Sequence, residues 1–549
     1  MLQKNSYSSS QTNLQSTTTE SFDLLIIGGG ITGAGIALDA TQRGLKVCLI
    51  EKKDYAYGTS SRSTKLIHGG LRYLKQMEFK LVHEVGTERS IVYHNALNLV
   101  RPEKMILPII KEGSLSKMLT SMALWVYDFL GGVQKDERKK MLTKEEVLAI
   151  EPRLKKEDLL SGGLYYEYRT DDARLCMSNI LTAIYLGAQC YNYTEALSFL
   201  YDDDKKIIGV EAQNMLDQST YKIKAKVVVN AAGPWVDEIR KKDQYLKGKK
   251  LQLTKGVHLV VPYDKLPIKH SLYFDTDDKR MIFCIPRQNI TYIGTTDTIY
   301  NESIDNPTTS LKDVNYLLKQ VNNRFENLYI KKEDIISSWS GLRPLIYEEG
   351  KSASELSRKD EIFESESGLI SMAGGKLTGY RLMAEHLVNK VMSKLALSPK
   401  SCATKHTVLL GSEFKNENEL NNFIEQQWGA CRQLAIPTEI ISNWVYKYGR
   451  NTTTIIEIAF DIYRSFQAQE YVAYAAELLY TIEFEQVASL SDFLVRRSGM
   501  LYFERDKITM DFIQVVQNII KEKVLLSDEI HQKNLDCFMD EWKSCIHFE

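Results

Sequence analysis

The sequence predicts an α/β protein that is interrupted by an antiparallel sheet and followed by a helical C-terminal domain. An apolar run at 22–27 leads directly into a glycine-rich turn, a helix-like stretch and a second apolar run at 46–51, and these form a β-α-β unit. Short β-rich runs separated by turn residues fill 251–300, which is typical of an antiparallel sheet. From about residue 400 onward the pattern is amphipathic and helical.

These patterns divide the chain into regions. Residues 21–395 form the predicted α/β region, in which the antiparallel sheet is inserted at about 245–340, and residues 400–549 form the helical domain. The stretch 76–160 has a mostly helical pattern. Residues 1–20 contain fourteen Ser, Thr, Asn or Gln and no apolar stretch, which predicts a disordered polar tail and no secretory signal.

The composition excludes several classes of protein. The chain has 549 residues, of which 44% are hydrophobic and 26% charged, so it can bury a large core and is neither collagenous nor of low complexity. Lys and Arg (70) balance Asp and Glu (71), and we therefore predict no nucleic-acid partner. Eight scattered cysteines form no C-x-x-C and no zinc-spaced cluster with histidine, which predicts no metal site and a reducing compartment.

The strongest local motif is the glycine-rich turn. Gly28, Gly30 and Gly33 have the G-x-G-x-x-G spacing between a strand and a helix, and Glu51 follows eighteen positions after Gly33. In dinucleotide-binding folds the glycines permit a tight turn and close approach of a pyrophosphate, and the acidic residue accepts from a ribose hydroxyl. The motif does not distinguish FAD from NAD, and a strand–helix turn without a ligand has the same pattern. Glu51 argues only against an NADP phosphate.

Two further segments carry candidate ligand-binding residues. The stretch 59–73 is dense in hydroxyls and glycines and includes a histidine and two arginines, so it is either a ligand-contacting loop or a solvated connection. A second strand-to-helix junction follows the apolar run 369–373.

The remaining candidates are cations and one histidine. Arg343, Arg358 and Lys376 taken singly are typical of a solvated surface, but together they would form a pocket for a phosphate or carboxylate. His258 lies in an apolar strand, where a histidine is more often a core residue than a base. Nucleophile-elbow, Walker and H-E-x-x-H motifs are lacking, which disfavours hydrolase, NTPase and metalloprotease functions.

From Phe22 to the C-terminus the chain resembles the FAD-dependent glycerol-3-phosphate dehydrogenases, respiratory flavoenzymes that oxidise sn-glycerol 3-phosphate. The resemblance is carried by segments that follow one another along the chain: IIGGGITGAGIALDATQRG (26–44), TSSRSTKLIHGGLRYL (59–74), YRTDDARL (168–175), NAAGPWVDEI (230–239), TKGVHLVV (254–261), YIGTTDT (292–298), SGLRPL (340–345) and SMAGGKLTGYR (371–381). It implies a Rossmann-like FAD-binding domain, an antiparallel sheet that caps the substrate, and the helical C-terminal domain.

The resemblance also implies roles for particular residues. Those expected to bind FAD are Gly28, Gly30, Gly33, Glu51, Thr59, Ser60, Ser61, Gly233, Gly374, Gly375, Leu377 and Thr378. Those expected around the substrate are Arg72, Arg343, Arg358 and Lys376, with Arg343 and Arg358 on its phosphate. Hydride transfer from the substrate C2 to the flavin requires a base for the C2 hydroxyl, for which His258 is the first choice and His68 the second.

The electron acceptor implied by the resemblance is a membrane quinone. The alternative is a glycerol-3-phosphate oxidase that reduces O2 to H2O2, but oxidases resembling this chain carry a long insertion where 345–357 is short. A quinone acceptor implies a peripheral protein on the cytoplasmic face of the cell membrane. No apolar run reaches the roughly 20 residues that cross a bilayer, and the segment 115–130 is either an anchor or a buried helix. A homodimer is a further expectation, and a non-catalytic nucleotide-binding protein is the alternative outside enzymes.

Overall fold

A computed structural model of the protein describes residues 4–17, 21–68, 79–113, 139–244, 249–347, 360–466 and 469–548. Two predicted site residues, Arg72 and Arg358, lie outside the described residues, as does the candidate anchor 115–130. The strands of the described part, β1 to β18 in chain order, are Ser21–Ile27, Val47–Ile50, Leu66–Ile67, Arg101–Ile110, Lys140–Thr143, Leu159–Arg169, Gln189–Tyr191, Thr194–Tyr201, Ile207–Asn214, Thr220–Asn230, Leu251–Pro262, Ser271–Asp275, Met281–Arg287, Ile290–Gly294, Thr298–Ile299, Ser337–Ile346, Glu361–Glu364 and Ile370–Ala373. Its α-helices are Tyr7–Thr17, Ile31–Gln42, Phe79–Asn95, Lys144–Ile150, Asp172–Tyr185, Val236–Lys242, Leu311–Arg324, Tyr380–Lys394, Glu417–Ala430, Thr438–Tyr448, Thr452–Tyr463, Val472–Phe484, Met500–Phe503, Met510–Lys523 and Asp528–Ser544.

The first sheet is the predicted parallel one, and its strand order is β17-β18-β10-β1-β2-β7. Strand β1 pairs in parallel with both β2 and β10, and β18 joins β10 in the same direction. The helices Ile31–Gln42, Asp172–Tyr185 and Tyr380–Lys394 pack together on this sheet, and the hairpin β8–β9 extends from β10. Strands covered on both faces need continuous apolar runs, which explains the run at 22–27. The α/β class is confirmed.

The second sheet has the order β15-β11-β14-β13-β12-β4-β6-β3, and β16 pairs with the other side of β11. Most of its pairs are antiparallel, as predicted, but it extends beyond 245–340 because β4 and β6 pair with each other and join it next to β12. Within 76–160, Phe79–Asn95 and Lys144–Ile150 are helices as predicted, but the helical prediction is wrong for Arg101–Ile110 and Lys140–Thr143, which are strands. Short apolar runs such as 105–110 suit a buried helix or a buried strand equally, and here tertiary pairing decided.

The C-terminal region is helical, which confirms the prediction. Its residues pack against the face of the second sheet on which Val260, Ile285, Tyr292 and Trp339 lie, and these four share one core with the helices after residue 471. A turn of π-helix at Asp492–Arg497 lies among these helices and is buried. Among the described residues, no helix combines the length and the apolar character needed to cross a membrane.

The N-terminal segment differs from the disordered tail predicted for 1–20. Tyr7–Thr17 is a helix whose Tyr7 and Leu14 are buried. The Tyr7 hydroxyl donates to Asn214 Oδ1 at 3.0 Å, and Leu14 packs into the core beneath β8, β9 and β10. A polar segment with two well-spaced apolar residues gains order only from a partner surface, which its own composition does not reveal.

Candidate active site

A cavity of about 790 Å³ lies where the carboxyl ends of the parallel strands face the second sheet. Its lining includes residues that directly follow β1, β2, β10 and β18, namely Gly28, Glu51, Ala231 and Gly374. Parallel α/β sheets bind their ligands at this edge. Those four strands are neighbours in the sheet, so at about 4.8 Å between adjacent strands the side of the cavity that they form is roughly 14 Å long. The cavity is therefore long enough for an extended ligand.

The glycine turn between β1 and its helix is closely packed. Gly28 has a φ of +115°, and a Cβ there would lie 2.6 Å from the carbonyl oxygen of Ala231. A Cβ at Gly33 would lie 1.9 Å from the Gly28 carbonyl oxygen. Gly30 precedes the first residue of the helix and lines the cavity, whereas Gly33 does not. Gly33 therefore permits the helix and the turn to pack, and Gly30 leaves the helix N-terminus open to an anion.

Glu51 is held beside this turn by backbone amides. Its carboxylate accepts from Gly29 N at 2.7 Å and from Lys53 N at 3.0 Å, and the residue lines the cavity. Burial raises the pKa of Glu51, while these two amide donors oppose the shift. Carboxylate oxygens have further lone pairs, so Glu51 can also accept a ribose hydroxyl.

The loop after Glu51 connects the two sheets. Thr59 and Ser60 line the cavity. Hydrogen bonds within the protein hold both hydroxyls: that of Thr59 donates to the Leu342 carbonyl at 2.6 Å, and that of Ser60 accepts from Ile31 N at 2.9 Å. Ser61 is buried outside the lining, and its carbonyl accepts from Lys65 Nζ at 3.0 Å. The loop is therefore fixed at both the glycine helix and the second sheet.

The second strand–helix junction forms another part of the wall. Gly374, Gly375, Lys376 and Leu377 line the cavity, and the two glycines have φ values of +77° and +92°. Thr378 lies behind them and donates to the carbonyl oxygen of the lining residue His68 at 3.0 Å. Gly233, with a φ of +54°, lines the cavity after β10.

His258 faces the cavity from β11, between β14 and β16. Its ring stacks on Trp339 with centroids 4.8 Å apart and planes at 12°, and its Nε2 lies 3.0 Å from Thr64 Oγ1. Gly294 leaves room for the ring, since a Cβ there would lie 2.2 Å from His258 Cδ2. Burial, followed by the charges of Arg343 and Lys65, holds the pKa of His258 well below 6.5. The imidazole is therefore neutral at neutral pH.

Arg343 lies near His258 on the same face of the second sheet. Its guanidinium donates to Thr295 Oγ1 at 2.9 Å and to the Thr296 carbonyl at 3.2 Å, and lies 3.3 Å from Asp297 Oδ1. Gly256 makes this position possible, because a Cβ there would lie 2.4 Å from Arg343 Nη2. The guanidinium is thus oriented along the cavity wall, where it can meet an anionic ligand.

The cavity therefore brings together most of the residues predicted from the sequence. His68, His258, Arg343 and Lys376 line it with nine of the twelve predicted cofactor residues, while Gly33, Ser61 and Thr378 lie directly behind the lining. Sequence reasoning missed Lys65, which is buried and paired with Asp172 at 2.5 Å. Both residues lie in segments that carry the family resemblance, but their contact joins positions 107 residues apart.

This arrangement fits FAD. The glycine turn has no space for side chains, the helix N-terminus and Glu51 suit a pyrophosphate and a ribose, and the cavity continues to a second helix start and to the second sheet. The fold and the site define a dinucleotide-binding protein in which the second sheet forms the cavity wall opposite the parallel strands.

Comparison with known proteins narrows this class. Residues 23–381 match the FAD dependent oxidoreductase family, and residues 402–530 match the C-terminal domain of alpha-glycerophosphate oxidase. The aerobic glycerol-3-phosphate dehydrogenase of Staphylococcus haemolyticus is 47% identical over 517 residues, which cover 93% of this chain and 92% of the relative. That of Staphylococcus aureus is 47% identical over 514 residues, 92% of this chain and 91% of the relative.

Solved structures agree. The glycerol-3-phosphate dehydrogenase from Bacillus halodurans, complexed with FAD, has a TM-score of 0.85 and 38% identity, covering 99% of this chain and 98% of that one. An L-alpha-glycerophosphate oxidase from Mycoplasma pneumoniae shares the fold at a TM-score of 0.52 and 17% identity, over 70% of this chain and 98% of that one. The chain therefore belongs to the FAD-dependent oxidoreductase family, within its aerobic glycerol-3-phosphate dehydrogenases, and FAD is its cofactor. This confirms the resemblance and the cofactor predicted from the sequence.

Proposed function

We propose that this enzyme oxidises sn-glycerol 3-phosphate to dihydroxyacetone phosphate and passes the electrons to a membrane quinone. One observation carries the proposal: the neutral, buried His258 and the cation Arg343 share one cavity with the FAD-binding glycine turn. Bound FAD supplies the acceptor for the hydride that leaves the substrate C2. The family to which the chain belongs supports the substrate.

In this proposal His258 removes the proton of the C2 hydroxyl. Thr64 fixes one ring nitrogen, and a neutral imidazole has one lone pair that can accept a proton. Stacking on Trp339 holds the ring plane, so the base is positioned before the substrate arrives. His68 is the second candidate because it also lines the cavity.

The phosphate would be bound by cations on both sides of the cavity. Arg343 lies on the second sheet and Lys376 at the second strand–helix junction, and both line the cavity. Arg72 and Arg358, which lie outside the described residues, are proposed as further contacts from the family resemblance.

An anaerobic visible spectrum tests the substrate. On addition of sn-glycerol 3-phosphate to the purified holoenzyme we expect prompt bleaching of the flavin band. The enantiomer sn-glycerol 1-phosphate, and glycerol without a phosphate, are the matched controls and should leave the band unchanged on the same timescale. Flavin that remains oxidised with sn-glycerol 3-phosphate, or that bleaches equally with glycerol, contradicts the proposal.

The electron acceptor needs a separate measurement. The short segment 345–357 favours a quinone, and the alternative is the oxidase that forms H2O2. Enzyme reduced anaerobically is mixed either with a water-soluble quinone or with air, and the return of the flavin band is timed. Faster reoxidation by the quinone, with little H2O2, supports the dehydrogenase, whereas rapid reoxidation by air with one H2O2 per flavin supports the oxidase.

A quinone confined to the bilayer requires the enzyme to reach a membrane. We therefore propose peripheral association with the cytoplasmic face of the cell membrane, and a homodimer as the working form. Co-sedimentation with lipid vesicles tests the first, and mass measurement in solution tests the second. Holoenzyme that stays in the supernatant at low and physiological salt argues against membrane association.

Replacing Arg343 by Gln should mainly raise the KM for sn-glycerol 3-phosphate. A charge-assisted hydrogen bond contributes about 1.5–3 kcal/mol, which corresponds to roughly 10- to 150-fold in affinity. Arg450→Gln is the control, because Arg450 pairs with Glu419 on the half-exposed surface of the C-terminal domain. Steady-state kinetics of both variants check this, and an unchanged KM in Arg343→Gln would remove Arg343 from the phosphate site.

The pKa of His258 predicts how the reaction depends on pH. The neutral ring is the basic form, and its pKa is held well below 6.5, so flavin reduction at saturating substrate should be independent of His258 titration from pH 6.5 to 8. The rate should fall only well below pH 6.5, where the ring takes up a proton. Stopped-flow reduction at saturating substrate measures this without interference from ionisation of free substrate phosphate. A limb at or above pH 6.5 that disappears in His258→Gln contradicts the assignment.

A further inference from the structure

We propose that the helical C-terminal domain is part of the FAD site, because Arg497 and Arg496 hold Asp54 and through it the glycine turn. Asp54 follows Glu51 by three residues and lies behind the cavity lining, with a fully buried side chain. Arg496 and Arg497 lie in the buried π-helical turn of the C-terminal domain. In this proposal they are positioning residues that set how tightly FAD is held.

The contact between the two domains is charged, direct and buried. Arg497 donates from Nη1 to Asp54 Oδ2 at 2.8 Å and from Nη2 to Asp54 Oδ1 at 2.9 Å, a bidentate pair. Arg496 Nε donates to the same Oδ2 at 2.6 Å, and its Nη2 donates to Asp492 Oδ1 at 2.6 Å. None of these four side chains is more than 3% exposed. One carboxylate of the FAD-binding region is thus enclosed by two guanidiniums of the C-terminal domain.

Asp54 is connected to the glycine turn by the two residues that follow it. Ala56 N donates to the Gly29 carbonyl at 3.0 Å, and Gly29 N donates to Glu51 at 2.7 Å. The ring of Tyr55 lies against Gly29, since a Cβ on Gly29 would meet Tyr55 Cδ1 at 2.8 Å. The segment 51–56 therefore holds both polar groups of Gly29, and Asp54 is its anchor to the C-terminal domain.

A second contact from the C-terminal domain reaches the same segment. Gln486 accepts from the Tyr55 hydroxyl at 3.0 Å and donates to the Cys190 carbonyl at 3.1 Å. Asn192 Nδ2 lies 3.0 Å from the Gln486 carbonyl and 3.2 Å from Asp54 Oδ1. Cys190 precedes Thr194, which lines the cavity, by four residues. The C-terminal domain thus contacts both chain segments that form this end of the cavity.

The buried cluster has equal numbers of acidic and basic side chains, so its formal charges balance only when every member is present. Its members are Asp54, Glu485, Asp492, Arg174, Arg496 and Arg497. Glu485 accepts from both guanidinium nitrogens of Arg174 at 2.6 and 2.9 Å and lies 3.2 Å from Arg497 Nε. Burial would raise the pKa of Asp54, but the two guanidiniums outweigh it and hold that pKa below its usual value. Removing Arg497 leaves Asp54 with the single Nε contact of Arg496 and removes one positive charge from a buried cluster, so we expect the segment around Asp54 to shift.

The test is the release of FAD from the holoenzyme. Arg497→Met should weaken FAD binding at least tenfold, and Arg497→Lys, which keeps the charge but not the bidentate geometry, should lie between Arg497→Met and the parent. Flavin fluorescence after dilution gives the dissociation rate, and reconstitution of apoprotein gives the affinity. This readout does not depend on turnover, and because it measures only FAD it separates this proposal from the substrate assignment.

Arg43→Met is the matched control. Arg43 forms an equally buried bidentate pair with Asp39, at 3.0 and 2.6 Å, in the same region of the chain. It lies at the far end of the helix that begins after Gly30, roughly 18 Å away. We expect Arg43→Met to lower the thermal midpoint while keeping the FAD affinity of the parent. Unchanged FAD affinity in Arg497→Met, or equal loss in both variants, overturns the proposal; if Arg497→Met does not fold, Arg497→Lys against Arg43→Lys decides in the same way.

Discussion

Replacing His258 by Gln is expected to slow flavin reduction by sn-glycerol 3-phosphate about 10²- to 10⁴-fold, the usual contribution of a positioned general base. His258 is the buried histidine that lines the cavity from the second sheet, and its neutral form is stabilised by burial and by Arg343 and Lys65. Glutamine keeps a polar side chain but cannot take up the proton. Anaerobic stopped-flow absorbance at saturating substrate measures the rate directly.

The control for this variant is His386→Gln. His386 is half exposed and contacts Asp360 only at 3.9 Å, so its replacement should leave the reduction rate within twofold of the parent. His258→Gln must also retain the visible spectrum of bound flavin, which shows that the site is intact. If it reduces at the parental rate, His258 is not the base, and a large loss in His68→Gln would transfer the role to His68.

Replacing Gly33 by Ala is expected to weaken FAD binding strongly. The new Cβ would lie 1.9 Å from the Gly28 carbonyl oxygen, so the helix and the turn must separate. Overpacking of this kind costs about 1–3 kcal/mol, which is roughly 5- to 150-fold in affinity if the strain falls on the bound conformation. Titration of apoprotein with FAD, followed by quenching of flavin fluorescence, checks the prediction.

Gly429→Ala is the matched control for this substitution. Gly429 lies in the helix Glu417–Ala430, and a Cβ there meets no atom within 4 Å. Alanine in an open helical position stabilises a helix slightly, so the thermal midpoint should stay equal or rise while FAD affinity stays unchanged. An FAD affinity of Gly33→Ala equal to that of Gly429→Ala would mean that the glycine turn does not limit cofactor binding.

The sequence predicted the FAD-binding core because that part of the site is local. Gly28, Gly30 and Gly33 lie within six residues at the junction of a strand and a helix, and Glu51 directly follows the next strand. Backbone geometry and steric space within such a unit depend on neighbouring residues, which the sequence shows directly. The same holds for the second junction at Gly374 and for the amphipathic helices of the C-terminal domain.

Elements that depend on distant partners could not be predicted in this way. The apolar part of Arg101–Ile110 became a strand because Leu159–Arg169 pairs with it, although the local pattern suits a helix as well. The helix Tyr7–Thr17 is ordered by contacts to Asn214, 207 residues beyond Tyr7, and to the core around β8–β10. Local propensity is a weak guide where such pairing supplies the stabilisation.

The sequence by itself therefore determined the fold class, the nucleotide-binding turn and, through resemblance, the family. Only the tertiary structure decided that His258 is neutral, because this depends on burial against Trp339 and on Arg343 and Lys65, which approach it from other strands and loops. It likewise decided that Asp54 meets Arg497, 443 residues further along the chain. The physical reason is that glycine space and strand pattern are set by bonded neighbours, whereas burial, charge and pKa are set by whatever the fold brings within a few ångströms.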